Sequence, residues 1–315
     1  MRRSTALLVG IAACTPDLVD DTSLVTVPRI LAVRADPAES PPGTAVAFRA
    51  LWAGPGGTAA DAPLDWAFCT ARKPFTEPGA VNPGCLAATS PDLVPFGTGV
   101  AAGGTLPVDG CRRFGPDRPD PVPGEPAARP TDPDGTGGYY QPLRVYAAGG
   151  EPDFALGQPR IRCGLPMATP MQATEYQRTY QDNLNPAIAA VEISRAGTAV
   201  ALTSLETDPD ASTSVSPGEV VQLVVRWNGA ESYPWFDPEA HELVTRRESV
   251  RISWFATEGA FATGHTGRAE READNASSDN VWTAPQTGGD VVVWIVVRDD
   301  RGGTAWASFR VTTSK

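Results

Sequence analysis

Apolar and polar residues alternate along much of this chain in short runs, the period-two pattern of strands whose two faces meet different surroundings. In the C-terminal half the runs 188–195, 219–227, 249–256, 280–283, 291–298 and 304–312 each predict a strand, and breaks rich in Gly, Pro, Ser and Asp separate them. One run is apolar on both faces. Val291, Val293, Ile295 and Val297 can fill an interior, which leaves Val292, Trp294 and Val296 on the opposite side in need of a cover.

The pattern also repeats. Residues 42–54, PGTAVAFRALWAG, align without a gap on residues 217–229, PGEVVQLVVRWNG, so that Val46 matches Val221 and Trp52 matches Trp227. An aliphatic strand precedes each copy, at 30–34 and 188–193, and a Trp-bearing strand follows each, LDWAFC at 64–69 and VRISWF at 250–255. The same order of elements twice predicts two copies of one β-sandwich module, an all-β chain. The first copy carries long Pro/Gly-rich insertions: 116–133 holds seven prolines and 97–104 reads GTGVAAGG. Much of 72–138 is therefore expected to be extended loop, with closing strands at 139–147 and 159–163. Between the copies, 171–182 has few breakers and places Met171, Tyr176 and Tyr180 near one helical face, which predicts a short connecting helix ended by Asn185-Pro186.

Composition supports this picture. With 31 Gly and 31 Pro, helices are cut short and turns are frequent. The formal net charge of −11 repels phosphate backbones and anionic lipid, so nucleic acid is not an expected partner.

The N-terminus reads as a targeting segment. Arg2 and Arg3 form a basic start, 6–13 is an apolar stretch too short to span a bilayer, and small residues precede Cys14. Ile11-Ala12-Ala13-Cys14 resembles the lipobox of bacterial lipoproteins. That resemblance implies cleavage before Cys14, a lipid on its sulfur, and attachment to a membrane; Thr15 in the following position points by analogy to the outer membrane. The h-region is short for the class. With Cys14 set aside, Cys69, Cys85, Cys111 and Cys163 remain, an even number in an exported chain. Three pairings are open; sequence proximity favours Cys69–Cys85 with Cys111–Cys163. A zinc site is the alternative, but there is no CxxC pair and the two histidines, His241 and His265, lie far downstream.

From SWFATEGAF at 253–261, WTAP at 282–285 and GDVVVWIVVRDDRGG at 289–303, the second copy resembles bacterial immunoglobulin-like repeats of the polycystic-kidney-disease and cadherin-like kind. The likeness implies two tandem immunoglobulin-like β-sandwiches and brings no functional residues with it. The expected plan is a signal peptide at 1–13, a lipidated tether at 14–25, a first module with insertions at 26–165, a linker at 166–186, and a second module at 187–315.

Candidate chemistry is thin. Gly97-Thr-Gly99-Val-Ala-Ala102 matches a degenerate dinucleotide fingerprint but lacks the following helix. Asp132-Pro-Asp134-Gly135 and Asp208-Pro-Asp210 space carboxylates as calcium loops do, without the later bidentate Glu, and read as polar turns. Asn275-Ala-Ser277 is a sequon that marks an exposed loop. A nucleophile would need His241 or His265 as base, both expected in polar loops, and no GxSxG elbow exists. No enzyme, metal or cofactor is expected, although a glycan hydrolase built on paired carboxylates would leave no local signature. The insertion ESYPWFDPEAHELVTRR at 231–247 is rich in aromatics. Either it folds back as a lid over the outer face of 291–297, or Tyr233, Trp235, Phe236 and Trp294 form a platform for a glycan or a partner protein. The function expected is non-enzymatic binding or adhesion at the cell envelope; the alternative is a passive spacer or an assembly subunit.

Overall fold

The computed structural model describes residues 22–71, 81–113, 137–147, 153–165, 168–195 and 197–314. Cys14 and Asp132–Asp134 lie outside the described residues. The protein is nearly all β, built as two pairs of sheets, each closed on its own apolar core.

In the first module, Arg29–Asp36 pairs with Ala45–Gly54, which in turn pairs with Ala101–Thr105. Facing it, Leu64–Cys69 lies between Leu93–Thr98 and Leu143–Ala147, with Asp153–Gly157 outside. In the second module, Ile188–Arg195, Val220–Trp227 and Ser277–Thr283 form one sheet. The other sheet is ordered Thr213–Val215, Thr304–Thr313, Gly289–Asp299, Val250–Ala256, His265–Arg268. The two modules share a wiring. In each, a short strand runs parallel to the closing strand: Glu39–Ser40 beside Arg160–Arg162, and Thr213–Val215 beside Thr304–Thr313. In each, the first strand meets the Pro-Gly strand with a register break one step in, after Ile30↔Trp52 and after Ile188↔Trp227. Trp66 and Trp254, the second tryptophans of the two copies, are both fully buried.

Cys69 is bonded to Cys85 and Cys111 to Cys163, the pairing that proximity favours.

Four expectations need correction. Residues 93–105 are a pair of strands and not a loop: Gly99 turns the chain with φ +86°, and the side-chain-free Gly104 leaves room for the rings of Phe96 and Phe48. Glycine lowers strand propensity, but Phe96 stacked on Phe68 at 4.4 Å outweighs it. The connecting helix runs Pro170–Thr179, capped by a Thr169–Gln172 capping box, and stops before Asn185-Pro186; Met171 is 80% exposed while Tyr176 and Tyr180 are buried. Residues 22–25 are docked and not free tether, because Val25 N–H donates to Ala256 O at 2.8 Å and Ala256 N–H to Ser23 O at 2.9 Å. Finally, 231–247 is not a lid over the 291–297 strand. It is a hairpin, Ser232–Asp237 with Glu242–Arg247, and Tyr233, Trp235 and Leu243 on it pack against Tyr176 and Tyr180 of the connecting helix.

The cover over the outer face of 291–297 is the first module itself. Val292, Trp294 and Val296 join Val25, Leu31, Ala32, Leu51 and Ala53 in one buried cluster. Along Arg29–Asp36 the contacts step down the second module and onto the connector: the Arg29 guanidinium lies 5.5 Å from the centre of the Phe255 ring, Arg298 donates to Leu31 O at 2.8 Å, and Asn185 Nδ2 of the connector donates to Ala35 O at 2.8 Å. Phe255 and Arg298 sit toward opposite ends of the sheet, as the pairs Phe255↔Trp294 and Arg251↔Arg298 show, so the modules lie side by side and not end to end.

Candidate functional site

Side-by-side packing creates a seam, and the polar groups of the molecule gather along it. At its centre Trp294 is fully buried, with its indole N–H donating to Thr58 Oγ1 of the first module at 2.8 Å.

At one end of the seam the connector threads between the modules through a buried ionic cluster. Glu39 accepts from Arg160 Nε at 3.1 Å, from the Tyr180 hydroxyl at 2.7 Å and from Asn183 N–H at 2.9 Å. Arg301 of the second module donates to Glu248 at 2.8 Å and to Glu231 at 2.7 Å, reaches Glu39 at 3.8 Å, and lies over the rings of Tyr233 and Tyr180. Asp299 takes the N–H groups of Arg301 and Gly303 and the amide of Asn183 on one oxygen. Burial, together with the neighbouring Asp299 charge and against the pull of Arg301, pushes the Glu248 carboxyl up to about 7. Burial raises Asp299 to about 6, although three N–H donors oppose it. Burial also pushes the Tyr180 hydroxyl up to about 12. Nothing in the local sequence announces this cluster, since its members come from six separate segments.

Further along the seam runs a groove of about 610 Å³ beside one of about 320 Å³, both walled by Trp306, Arg34 and Glu206. Trp306 pairs with Val296, which sets its ring at the rim of the buried cluster, half-buried. Its indole N–H has no partner among the described residues, and neither has the exposed guanidinium of Arg49 in the smaller groove. Arg34 pairs with Asp36 at 3.0 Å, and Glu206 is occupied by Ser308 N–H at 3.2 Å and Ser308 Oγ at 2.7 Å. The groove thus offers an aromatic face and free donors, while its carboxylates are already engaged. Arg34 and Arg49 are cross-strand partners within the first module, and only the docking of the second module brings Trp306 beside them, which no local pattern in the sequence announces.

The platform expected from the sequence does not form. Trp294 lies beneath the first module, and Tyr233 and Phe236 are buried; Trp235 is half-buried with Arg246 stacked over it. The physical reason is that Trp294 fills the seam and Tyr233 and Trp235 fill the helix–hairpin contact, while Phe236 is buried beside His241 of its own hairpin.

His265 lies on a strand and not in a loop, and its Nδ1 is 3.2 Å from Ser253 Oγ. Its basicity is lowered by burial and then by the charges of Arg251 and Arg298. This pair lacks what a nucleophile needs: Ser253 is 3% exposed, Arg298 also donates to its oxygen, and no carboxylate orients the imidazole among the described residues. His241 occupies the hairpin turn with φ +57°. Asp208 closes a turn by accepting from Asp210 N–H, and Asn275 accepts from Ser277 N–H and Oγ. Among the described residues no group of three or more His, Cys, Asp or Glu is placed to hold a metal ion.

No protein-family model and no curated protein matches the chain. Among solved structures it aligns with latent PorU of Porphyromonas gingivalis at 12% identity, covering 93% of this chain and 24% of that one, with a TM-score of 0.23. The adhesin InvE of Yersinia pseudotuberculosis aligns at 10% identity, over 90% of this chain and 58% of that one, also at 0.23. Cadherin domains 3–6 of protocadherin gamma B2 align at 12% identity, over 92% and 76%, at 0.16. The chain spans less than two thirds of the first two proteins, and superpositions this loose carry no argument.

Proposed function

We propose that the chain is an exported, non-enzymatic binding protein of the cell envelope, held to the outer membrane through a lipid on Cys14, and that it engages a glycan or an envelope protein at the seam groove. The observation that supports this reading is that a half-buried Trp306 shares a groove with Arg34 and with Arg49, which has no partner among the described residues, the groove being large enough for a short saccharide or a side-chain cluster. The test exposes residues 15–315 to a glycan array and to immobilised envelope proteins, beside Arg49→Ala and Trp306→Ala. Ligands retained by the wild type and lost by both variants support the reading; capture unchanged in Arg49→Ala, or no capture at all, removes it. The anchor is tested by Cys14→Ser, which is expected to move the protein from membrane to soluble fractions.

A second reading, a subunit of an envelope assembly with no ligand of its own, is favoured by the burial of Trp294, Tyr233 and Phe236. An extended spacer fits less well, because modules packed side by side give up the reach that end-to-end modules supply.

A further inference from the structure

The ionic cluster where the connector passes between the modules buries more acid than base. Among the described residues four carboxylates meet there, Glu39, Glu231, Glu248 and Asp299, against the two guanidiniums of Arg160 and Arg301. All but Glu231 are almost fully enclosed; its side chain is 32% exposed. Arg160 and Glu39 belong to the first module, Tyr180 and Asn183 to the connector, and Glu231, Glu248, Asp299 and Arg301 to the second.

We propose that this junction is a proton-operated latch: with protons on Glu248 and Asp299 the modules and connector close most tightly, and ionisation of both carboxyls loosens them. This goes beyond the binding reading and does not depend on it.

Glu39 is saturated by Arg160, the Tyr180 hydroxyl and Asn183 N–H. Arg301 divides its single charge among Glu248, Glu231 and, at longer range, Glu39, so Glu248, which also accepts Glu231 N–H at 2.9 Å, shares its one cation with two other carboxylates. Among the described residues Asp299 has no guanidinium within ion-pair distance; its three N–H donors all fall on Oδ1, and its buried Oδ2 has no partner there. A buried carboxylate without a cation of its own favours the neutral form, and a proton on Oδ2 removes the excess charge without disturbing Oδ1. The other charged and titratable groups facing the pair do not supply the missing cation. Asp182 is paired with Arg162, Arg246 with Glu270, Asp300 bonds Ser249, and Tyr176 and Tyr233 are held neutral by burial.

The sign follows from the two raised carboxyls. Both hold their protons in the closed state up to about pH 6–7, whereas in the open state they lose them near the ordinary carboxylate range of about 4. Closure is therefore strongest at the acidic end, weakens as pH climbs from about 4 to about 7, and changes little from these groups above that.

The test is hydrogen exchange on residues 15–315, corrected for intrinsic rates, at about pH 5.5 and about pH 8. Connector amides 180–184 are expected to be at least about tenfold better protected at the lower pH. The double variant Glu248→Gln with Asp299→Asn is expected to keep the high protection at both pH values, within about twofold. Equal wild-type protection at the two pH values, or a double variant that follows the wild-type profile, overturns the proposal. Carbon-detected carboxyl titration of the wild type covers the case in which the variant does not fold. Two carboxyls with midpoints above about 5.5 are expected, and none there overturns it equally.

Discussion

Replacing Trp294 by alanine removes the largest side chain of the seam and leaves both sandwich cores untouched, because Val293, Ile295 and Val297 face inward and Trp294 faces the first module. A fully buried indole takes on the order of 200 Å² out of water, about 5 kcal/mol at about 25 cal/mol per Å². The alanine methyl retains a small share, and the facing residues Leu31 and Leu51 relax into part of the space, so the expected loss is about 3–5 kcal/mol. The lost hydrogen bond to Thr58 accounts for about 1 kcal/mol of it; Thr58→Val alone, which leaves the buried indole N–H without its acceptor, is expected to cost about 1–3 kcal/mol. The assay is calorimetric unfolding of residues 15–315 together with hydrogen exchange. The wild type is expected to unfold as one cooperative unit; Trp294→Ala is expected to split into two transitions, with the seam-crossing amides of Val25 and Ala256 exchanging before those of either core. A loss below about 1 kcal/mol, or a single transition in which core and seam amides open together, would refute the assignment of Trp294 to the seam.

Removing the disulfides separately should rank by loop size: about 4 kcal/mol for Cys111–Cys163, which closes a separation of 52 residues, against about 3 kcal/mol for Cys69–Cys85 at 16, measured by denaturant unfolding of the paired Cys→Ala variants. Gly104→Val is expected to cost about 1–3 kcal/mol, because a Cβ there meets the Phe96 ring at 2.8 Å and the Phe48 ring at 3.2 Å, and its circular dichroism melt should fall accordingly. Arg49→Ala, exposed and partnerless among the described residues, should leave the melting temperature within about 1 °C of wild type while abolishing ligand capture.

Much of the β architecture was legible because strand patterning and the Pro-Gly/Trp repeat are local signals. Trp52 and Trp227 were matched by sequence, and the register breaks at Ile30 and Ile188 lie opposite them. The need for a cover over Val292, Trp294 and Val296 was also readable from period two alone. What covers them was not, because the aromatic insertion at 231–247 and the first module are equally apolar as strings, and only chain geometry decides between them. For the same reason Trp235 and Phe236 looked like a platform, while Trp306, in an unremarkable strand, went unnoticed. The ionic junction was unreadable in principle: Glu39 and Arg301 are ordinary charged residues until folding places them 3.8 Å apart.

The groove and the ionic junction both depend on the two modules sitting side by side over Trp294. Small-angle X-ray scattering of residues 15–315 tests that directly. One compact body of this length has a radius of gyration of about 19–20 Å, whereas two such modules set end to end with centres about 45 Å apart would give about 27 Å. A value near the lower figure, with a single-peaked distance distribution, is the predicted result; a value near the upper figure, with a second maximum at the inter-module distance, contradicts the account.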